Sequence, residues 1–339
     1  MHNTQPWLFG TDAQELCLYA DAGRQLTVAD PAGRQMLISC GAAMFTARLA
    51  LRSAGRIPQA RVLPDPADPL LVARLGWPRR PAAASYERQL FDQVTRRRTH
   101  RGGFDPVPLP PGLLATLQAG ARQEGVHLRI ITGEAAAAAL AAAVQAAEQA
   151  LRRESARAQE LAAWVSPPDS PRRDGVPATS YPARPVRTVP DFPARDFARG
   201  RGWGVVAALH TQPFELGRLR ESIRTRLGDG AHPQLLLRLG TVTQSAASVR
   251  RPPGQRPVLA SLGGVTCAVP VPADLPRDVG HRWEGIKALV SGPDRADSAG
   301  QVRQVRRVSE ETARRMSMLA DQGDYLVAVA ARAPSVHNT

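Results

Sequence analysis

The chain has 339 residues, enough to bury a large core in one or two domains. Its formal charge is +14, but of its 44 basic residues only Lys287 is a lysine, the arginines are spread along the chain and aromatics make up 5%, so no basic tract or stacking platform marks a nucleic-acid partner. Cys17, Cys40 and Cys267 are odd in number and share no CxxC or CxxH spacing, so neither a disulfide framework nor a zinc site is indicated and a cytoplasmic protein is expected; no apolar run approaches the roughly 20 residues of a membrane span, so no membrane partner is expected.

The alternation of ELCLYA at 15–20 predicts a short strand. Asp30-Pro31 then opens a helix that Gly55 closes, with Leu37, Cys40, Met44, Ala47 and Leu51 on its core face. A second strand is read at 61–63, before the turn-rich break PDPADP. A helix from Ser85 runs into the basic series Arg96, Arg97, Arg98, Thr99, His100 and Arg101, and Gly102-Gly103 stops it. Beyond the proline-rich 106–111 come a helix over 113–123, a strand at 126–132 and one alanine-rich helix from 134 to about 164. Residues 166–200, rich in Pro, Arg and Asp, read as an irregular segment that covers a surface or forms a lid. An apolar stretch at 205–209, a turn at 210–213, a helix at 216–227 and a strand at 234–239 follow. From 241 to about 300 little periodicity remains, and a final helix is expected from Ser309, its cap, to Arg332.

The tripeptide His-Asn-Thr occurs twice, at 2–4 and at 337–339. Overlaid on that repeat, RAPSVHNT at 332–339 and MHNTQPW at 1–7 spell a single string, RAPSVHNTQPW. That string resembles the opening flavin-binding segment of the Acg-type NAD(P)H nitroreductases. Further blocks carry the same resemblance: ADPAGRQMLISCGAAMF at 29–45, LPDPADPLLVARL at 63–75, RRRTHRGGF at 96–104, ELAAWV at 160–165 with DGVP at 174–177, LHTQPFEL at 209–216 and PQLLLRLG at 233–240 with RRP at 250–252. It extends over 1 to about 255 and again over about 316–339, in permuted order, so the chain reads as a circular permutant.

The resemblance implies an α+β, nitroreductase-like, FMN-dependent fold of two related halves in one chain, a monomer built like a dimer with FMN in a groove between the halves. The first half would be 1–105, completed by the permuted entry helix 309–339; the second, shortened, would be 106–255; and 256–308 would be a linker or poorly ordered insert. Between Arg199 and Val205 the family has a strand and a long central helix for which this chain has no counterpart.

The resemblance also implies site residues. Arg332 and Ser335 fit the FMN phosphate and ribityl region, with His337, Asn338, Gln5 and Trp7 beside them and His2, Asn3 and Thr4 as a competing copy. Arg97, Arg98 and Arg101 match the basic entry motif of the second half, and Arg250 and Arg251 match a pair of cations on the same phosphate. Guanidinium forks suit that role because each donates two parallel hydrogen bonds to a phosphate. Thr211 and Gln212 fall where the family's backbone approaches the flavin N5. Without the resemblance, RRRTHR reads as a solvated helix face, His100 and His210 as ordinary histidines, Asn3 and Asn338 as turn caps and Trp7 as a core side chain. The implied activity is hydride transfer from NAD(P)H through flavin to a nitroaromatic or quinone acceptor. A flavin-sequestering protein without turnover, or a degenerate rearranged family member, is the alternative.

Overall fold

The computed structural model describes residues 2–12, 15–77, 85–94, 104–167, 170–172, 174–177, 192, 209–227 and 230–241. They fall into two compact units, one built on Met1–Arg97 with Pro171–Gly175, the other on Arg98–Ser170 with Val176–Ser248. The expected helix at 309–332 and the insert at 256–308 lie outside the described residues, as does the basic series at 96–101.

In the first unit, strands β1 (Trp7–Asp12) and β2 (Glu15–Ala20) form a hairpin, and after helix α1 (Arg34–Ser53) come β3 (Gln59–Val62) and β4 (Leu71–Gly76). The four make one antiparallel sheet in the order β1-β2-β4-β3. Its register places Trp7 opposite Ala20, Phe9 opposite Leu18 and Leu16 opposite Leu75, and the period of two sends these side chains to one face. There they pack with Met36, Cys40, Ala43, Ala47, Ala50 and Leu51 of α1. Small residues at 40, 43, 47 and 50 recur at helical spacing, which lets the helix lie close on the sheet. The opposite face buries Leu8, Cys17, Tyr19 and Leu71, and burial on both faces explains why ELCLYA is nearly all apolar. Helix α2 (Ser85–Gln93) joins α1 through the Arg52–Glu87 ion pair and the half-buried Phe91.

The expected strand at 15–20 is present with the same bounds. Strands β1 and β4 were not expected; both lie in segments read as motif or turn. The expected face of α1 is also present: Cys40, Ala47 and Leu51 are buried, and Leu37 and Met44 pack against them. The helix ends in a Schellman motif, in which Arg56 N–H donates to Leu51 O and Gly55 N–H to Arg52 O, with Gly55 in the left-handed region at φ 74°. At its other end the carboxylate of Asp30 accepts the Met36 N–H at 2.9 Å, four residues upstream of the first helical residue. Burial pushes the Asp30 carboxyl above its ordinary value, against the pull of the Met36 and Gln35 N–H groups.

The second unit is mainly helical. Helix α3 (Leu113–Gln123) forms as expected, but the strand expected at 126–132 does not. Val126 gives its N–H to Ala121 O and Gly125 gives its own to Arg122 O, closing α3 with a second Schellman motif. The residues that follow meet no neighbouring strand among those described. The single alanine-rich helix is instead two, α4 (Glu134–Arg152) and α5 (Ser155–Ala163), broken at Glu154, whose backbone is extended (φ −86°, ψ 97°). Short strands β5 (Val165–Ser166) and β6 (Val176–Pro177) pair in parallel. Strand β7 (Leu209–His210) is followed by α6 (Gln212–Glu215), where a turn was expected, and by α7 (Gly217–Leu227). The expected strand at 234–239 shrinks to β8 (Leu236–Leu237), antiparallel to β7. The fold is therefore mixed α/β with an antiparallel sheet and several helices.

Asp30 provides a test of how α1 is started. Asn keeps a side-chain acceptor and has no charge to desolvate, so Asp30→Asn should leave the thermal midpoint nearly unchanged at pH 7. Asp30→Ala should cost about 1 to 2 kcal/mol in denaturant unfolding.

Candidate functional site

Four residues at the start of the first unit, His2 to Gln5, are all buried, and three have left-handed backbone: φ is 49° at His2, 56° at Asn3 and 50° at Gln5. Leu63 is the one other non-glycine with positive φ among the described residues. Each such residue costs of order 1–3 kcal/mol and persists where the surroundings fix it, and such strain clusters at ligand-binding positions.

The surroundings here are specific. Asn3 exchanges two hydrogen bonds with Gly175, Nδ2 donating to Gly175 O at 2.8 Å and Gly175 N–H to Asn3 O at 3.1 Å. Arg24 Nη1 donates to Thr4 O at 2.7 Å and to Asp174 Oδ2 at 2.8 Å, and Arg172 Nε reaches Asp174 Oδ1 at 3.0 Å. Asp21 N–H closes on Pro6 O at 3.0 Å, and the Cys40 thiol donates to the same carbonyl at 3.3 Å. Burial would raise the Asp174 carboxyl, but the Arg24 guanidinium, helped by Arg172, overrides it and holds the group below its ordinary value. Burial pushes the Cys40 thiol up to about 12, so it stays protonated.

Two buried groups are left without partners among the described residues. The Asn3 Oδ1 accepts nothing, and the Gln35 carboxamide, fully buried at the start of α1, neither donates nor accepts. An unmet buried polar group costs about 1–3 kcal/mol, so these atoms ask for polar ligand atoms or water.

The second unit holds a different arrangement. His210, Thr211 and Gln212 are buried where β7 passes into α6. Thr211 N–H donates to Gln212 Oε1 at 3.1 Å and Thr211 Oγ1 to Glu215 Oε1 at 2.8 Å. The other oxygen of Glu215 pairs with Arg157 Nη1 at 3.2 Å. Phe192 packs on the His210 ring, centroids 5.5 Å apart. The Arg238 guanidinium lies over Phe192 at 5.1 Å and over Phe104 at 5.2 Å. Phe104 sits so close to Gly240 that a Cβ there would fall 2.3 Å from the ring.

Of the residues expected at the site, Asn3 and Gln5 lie together in the strained segment and Thr211 and Gln212 share one turn. Trp7 begins β1 with its side chain in the core of the first unit. Arg97, Arg98, Arg101, Arg250, Arg251, Arg332, Ser335, His337 and Asn338 lie outside the described residues. The sequence reading missed Arg24, Gln35, Arg157 and Glu215. Asp174 was within a quoted block, DGVP, but nothing local linked it to Arg24.

No family model matches the chain. A Mycobacterium tuberculosis protein named "Putative NAD(P)H nitroreductase" is 29% identical over 288 positions that take in 71% of this chain and 80% of the relative. Another from the same organism, "Putative NAD(P)H nitroreductase acg", is 32% identical over 108 positions, 32% of this chain and 33% of its own length. A third, an uncharacterized protein, is 28% identical over 109 positions. The chain is thus similar to proteins named putative NAD(P)H nitroreductases, Acg among them. The match to the first of these relatives spans most of both chains, and none of the alignments shows a circular permutation. Among the described residues no helix is long and apolar enough to cross a membrane.

The anchoring of the strained segment makes a pH prediction. Because Asp174 is held below its ordinary value in the folded chain, its ion pair contributes stability above about pH 4 and loses it as pH falls through the lowered value. Asp174→Asn should therefore unfold at lower denaturant than wild type at pH 7, and the gap should close as the pH is lowered below about 4.

Proposed function

We propose that this chain is an FMN-binding, nitroreductase-like oxidoreductase that passes hydride from NAD(P)H through flavin to a small nitroaromatic or quinone acceptor. The observation that carries the reading is the segment from His2 to Gln5: strained, buried and, among the described residues, without a polar partner at Asn3 Oδ1, within the motif whose resemblance is to a flavin-binding segment. The names of the relatives support the same chemistry.

These residues fit a flavin, whose ring edge alternates hydrogen-bond donors and acceptors and whose tail carries a phosphate. Asn3, Gln5 and Gln35 are the first unit's candidates for the polar edges, and Thr211 and Gln212 are the second unit's candidate donors to a flavin. Arg97, Arg98, Arg101, Arg250, Arg251 and Arg332 would supply guanidinium groups for the phosphate, Ser335 would serve the ribityl region, and beside it His337 and Asn338 compete with the amino-terminal copy His2 and Asn3. When bound, the flavin supplies the hydride chemistry, and the protein binds and orients it. The carboxamide oxygen of Gln212 is committed to the Thr211 N–H, so its NH2 group is what this side chain offers a ligand. The permuted order, the 256–308 linker, the monomeric state and a cytoplasmic location belong to the same proposal.

One observation favours a second reading. Phe192, from the segment read as a lid, packs on His210 beside Thr211 and Gln212, as a cover that sequesters flavin without turnover would. Oxidation of NADPH with a nitroaromatic or quinone acceptor supports the enzyme; bound flavin with no oxidation supports sequestration. A purified chain with no flavin absorbance, and none after FMN is added, overturns both.

If Arg98 or Arg251 holds the phosphate, changing it to Ala should weaken FMN about tenfold to over a hundredfold, the loss of one charge-assisted hydrogen bond. Riboflavin should lose much less, and an equal loss for both ligands would assign the arginine to folding.

The relatives bear on occupancy as well. Since 71% of this chain is fewer residues than the 288 aligned positions, the relative has residues that this chain lacks, in keeping with a shortened second half. FMN should therefore be substoichiometric after purification, and the melting temperature should rise on adding FMN, as ligand binding to the folded state requires. Full occupancy without added flavin would refute the shortening argument.

A further inference from the structure

We infer that the buried Arg157–Glu215 ion pair is a positioning device for the Thr211–Gln212 turn, acting through that turn on whatever the turn binds. The inference deepens the flavin reading and rests on it for the identity of the ligand. The positioning itself rests on geometry alone.

Helix α6 is a single turn of four residues with Pro213 near its start. A helix this short does not hold itself, because its nucleation cost is not repaid by further turns. Its shape must come from tertiary contacts, and two of them converge on Glu215. That carboxylate is almost wholly inaccessible, with 1% of the side chain exposed, and Arg157 is 7% exposed. One oxygen accepts the Thr211 hydroxyl at 2.8 Å, and the other receives Arg157 Nη1 at 3.2 Å. With both oxygens engaged, the carboxylate cannot rotate without breaking one bond. The Thr211 hydroxyl is thereby fixed in direction, and Phe214 N–H, donating to Thr211 O at 2.9 Å, fixes the peptide that follows.

Arg157 is itself aimed from outside the turn. Its Nε donates to Glu154 Oε2 at 3.0 Å, and Glu154 is the extended residue that breaks the long helix into α4 and α5. The break and the ion pair thus belong together: the guanidinium is oriented by the residue at the break and reaches 58 residues along the chain to the turn. A buried ion pair contributes little net stability, because desolvating two charges offsets their attraction, and an apolar pair of similar volume would serve as well. Two fixed oxygens on two donors give instead a defined direction at Thr211, which an apolar pair cannot.

The test uses the full-length chain, wild type and Glu215→Ala, with Ile223→Ala on α7 as a control for packing loss at a buried position. Amide hydrogen exchange is measured without flavin on peptides covering 209–216 and α3. In Glu215→Ala the 209–216 peptide should exchange about tenfold faster or more, with α3 unchanged, whereas in Ile223→Ala the ratio of the two peptides should stay near wild type. With FMN added, Glu215→Ala should shift the flavin absorbance band and lower kcat for NADPH oxidation about tenfold with little change in KM. Unchanged exchange at 209–216, or the same selective increase in Ile223→Ala, overturns the inference, as does a normal flavin band and kcat in Glu215→Ala. If Glu215→Ala does not fold, Glu215→Gln, which keeps the side-chain shape and removes the charge, and Arg157→Lys, which keeps the charge and removes the planar fork, carry the same comparison. A wild-type chain that binds no FMN refutes the flavin reading, and the exchange ratio still decides the positioning.

Discussion

A single guanidinium, that of Arg24, joins three stretches of the first unit that are far apart in sequence. It binds the carbonyl of Thr4 in the strained segment and the carboxylate of Asp174, 150 residues on, from the short 3-10 turn after β2. The left-handed residues before β1 depend on this clamp, since positive φ is uncommon for any residue but glycine, and three such residues within four positions need outside contacts even though Asn and His tolerate it. Strand β1 depends on them in turn. Trp7 enters the sheet directly after Pro6, whose carbonyl is held by Asp21 and Cys40, so the direction of β1, and with it the pairing of Trp7 with Ala20, is fixed at its first residue.

The second unit solves a similar problem with the opposite charge at the centre. Arg24 is a cation that collects a carbonyl and a carboxylate, and Glu215 is an anion that collects a hydroxyl and a guanidinium. In both cases a long-range charged group sets a short irregular segment that local propensity leaves undecided. The rest of each unit is conventional packing: α1 on a sheet in the first unit, helices α4 to α7 in the second.

What could be read from the sequence follows the same division. Strand β2 and helices α1 and α3 were legible because alternation, apolar spacing and, for α1, the closing Gly55 are local signals. Strand β1 was hidden by its motif, and β4 by the turn residues before it. The alternation at 126–132 was real but misleading, because a strand needs a neighbour and Val126 spends its N–H on closing α3. The break at Glu154 carries no proline or glycine, so helix propensity ran straight through it. At the candidate site, Asn3, Gln5, Thr211 and Gln212 are legible because they lie in the HNTQPW and LHTQPFEL motifs. Arg24 with Asp174 and Arg157 with Glu215 are not, since pairs separated by 150 and 58 residues leave no pattern in either neighbourhood.

The burial of Cys40 carries a consequence for endurance. Its thiol is sealed under the start of β1, donates to the Pro6 carbonyl and stays protonated across the physiological range, and Cys17 is buried as well. Peroxide and disulfide exchange attack the thiolate and need access to the sulfur. Both cysteines among the described residues of the first unit are shielded on each count, so oxidant has no thiol to attack there while the unit stays folded. Ageing in air would then register first in unfolding and only afterwards in the thiols.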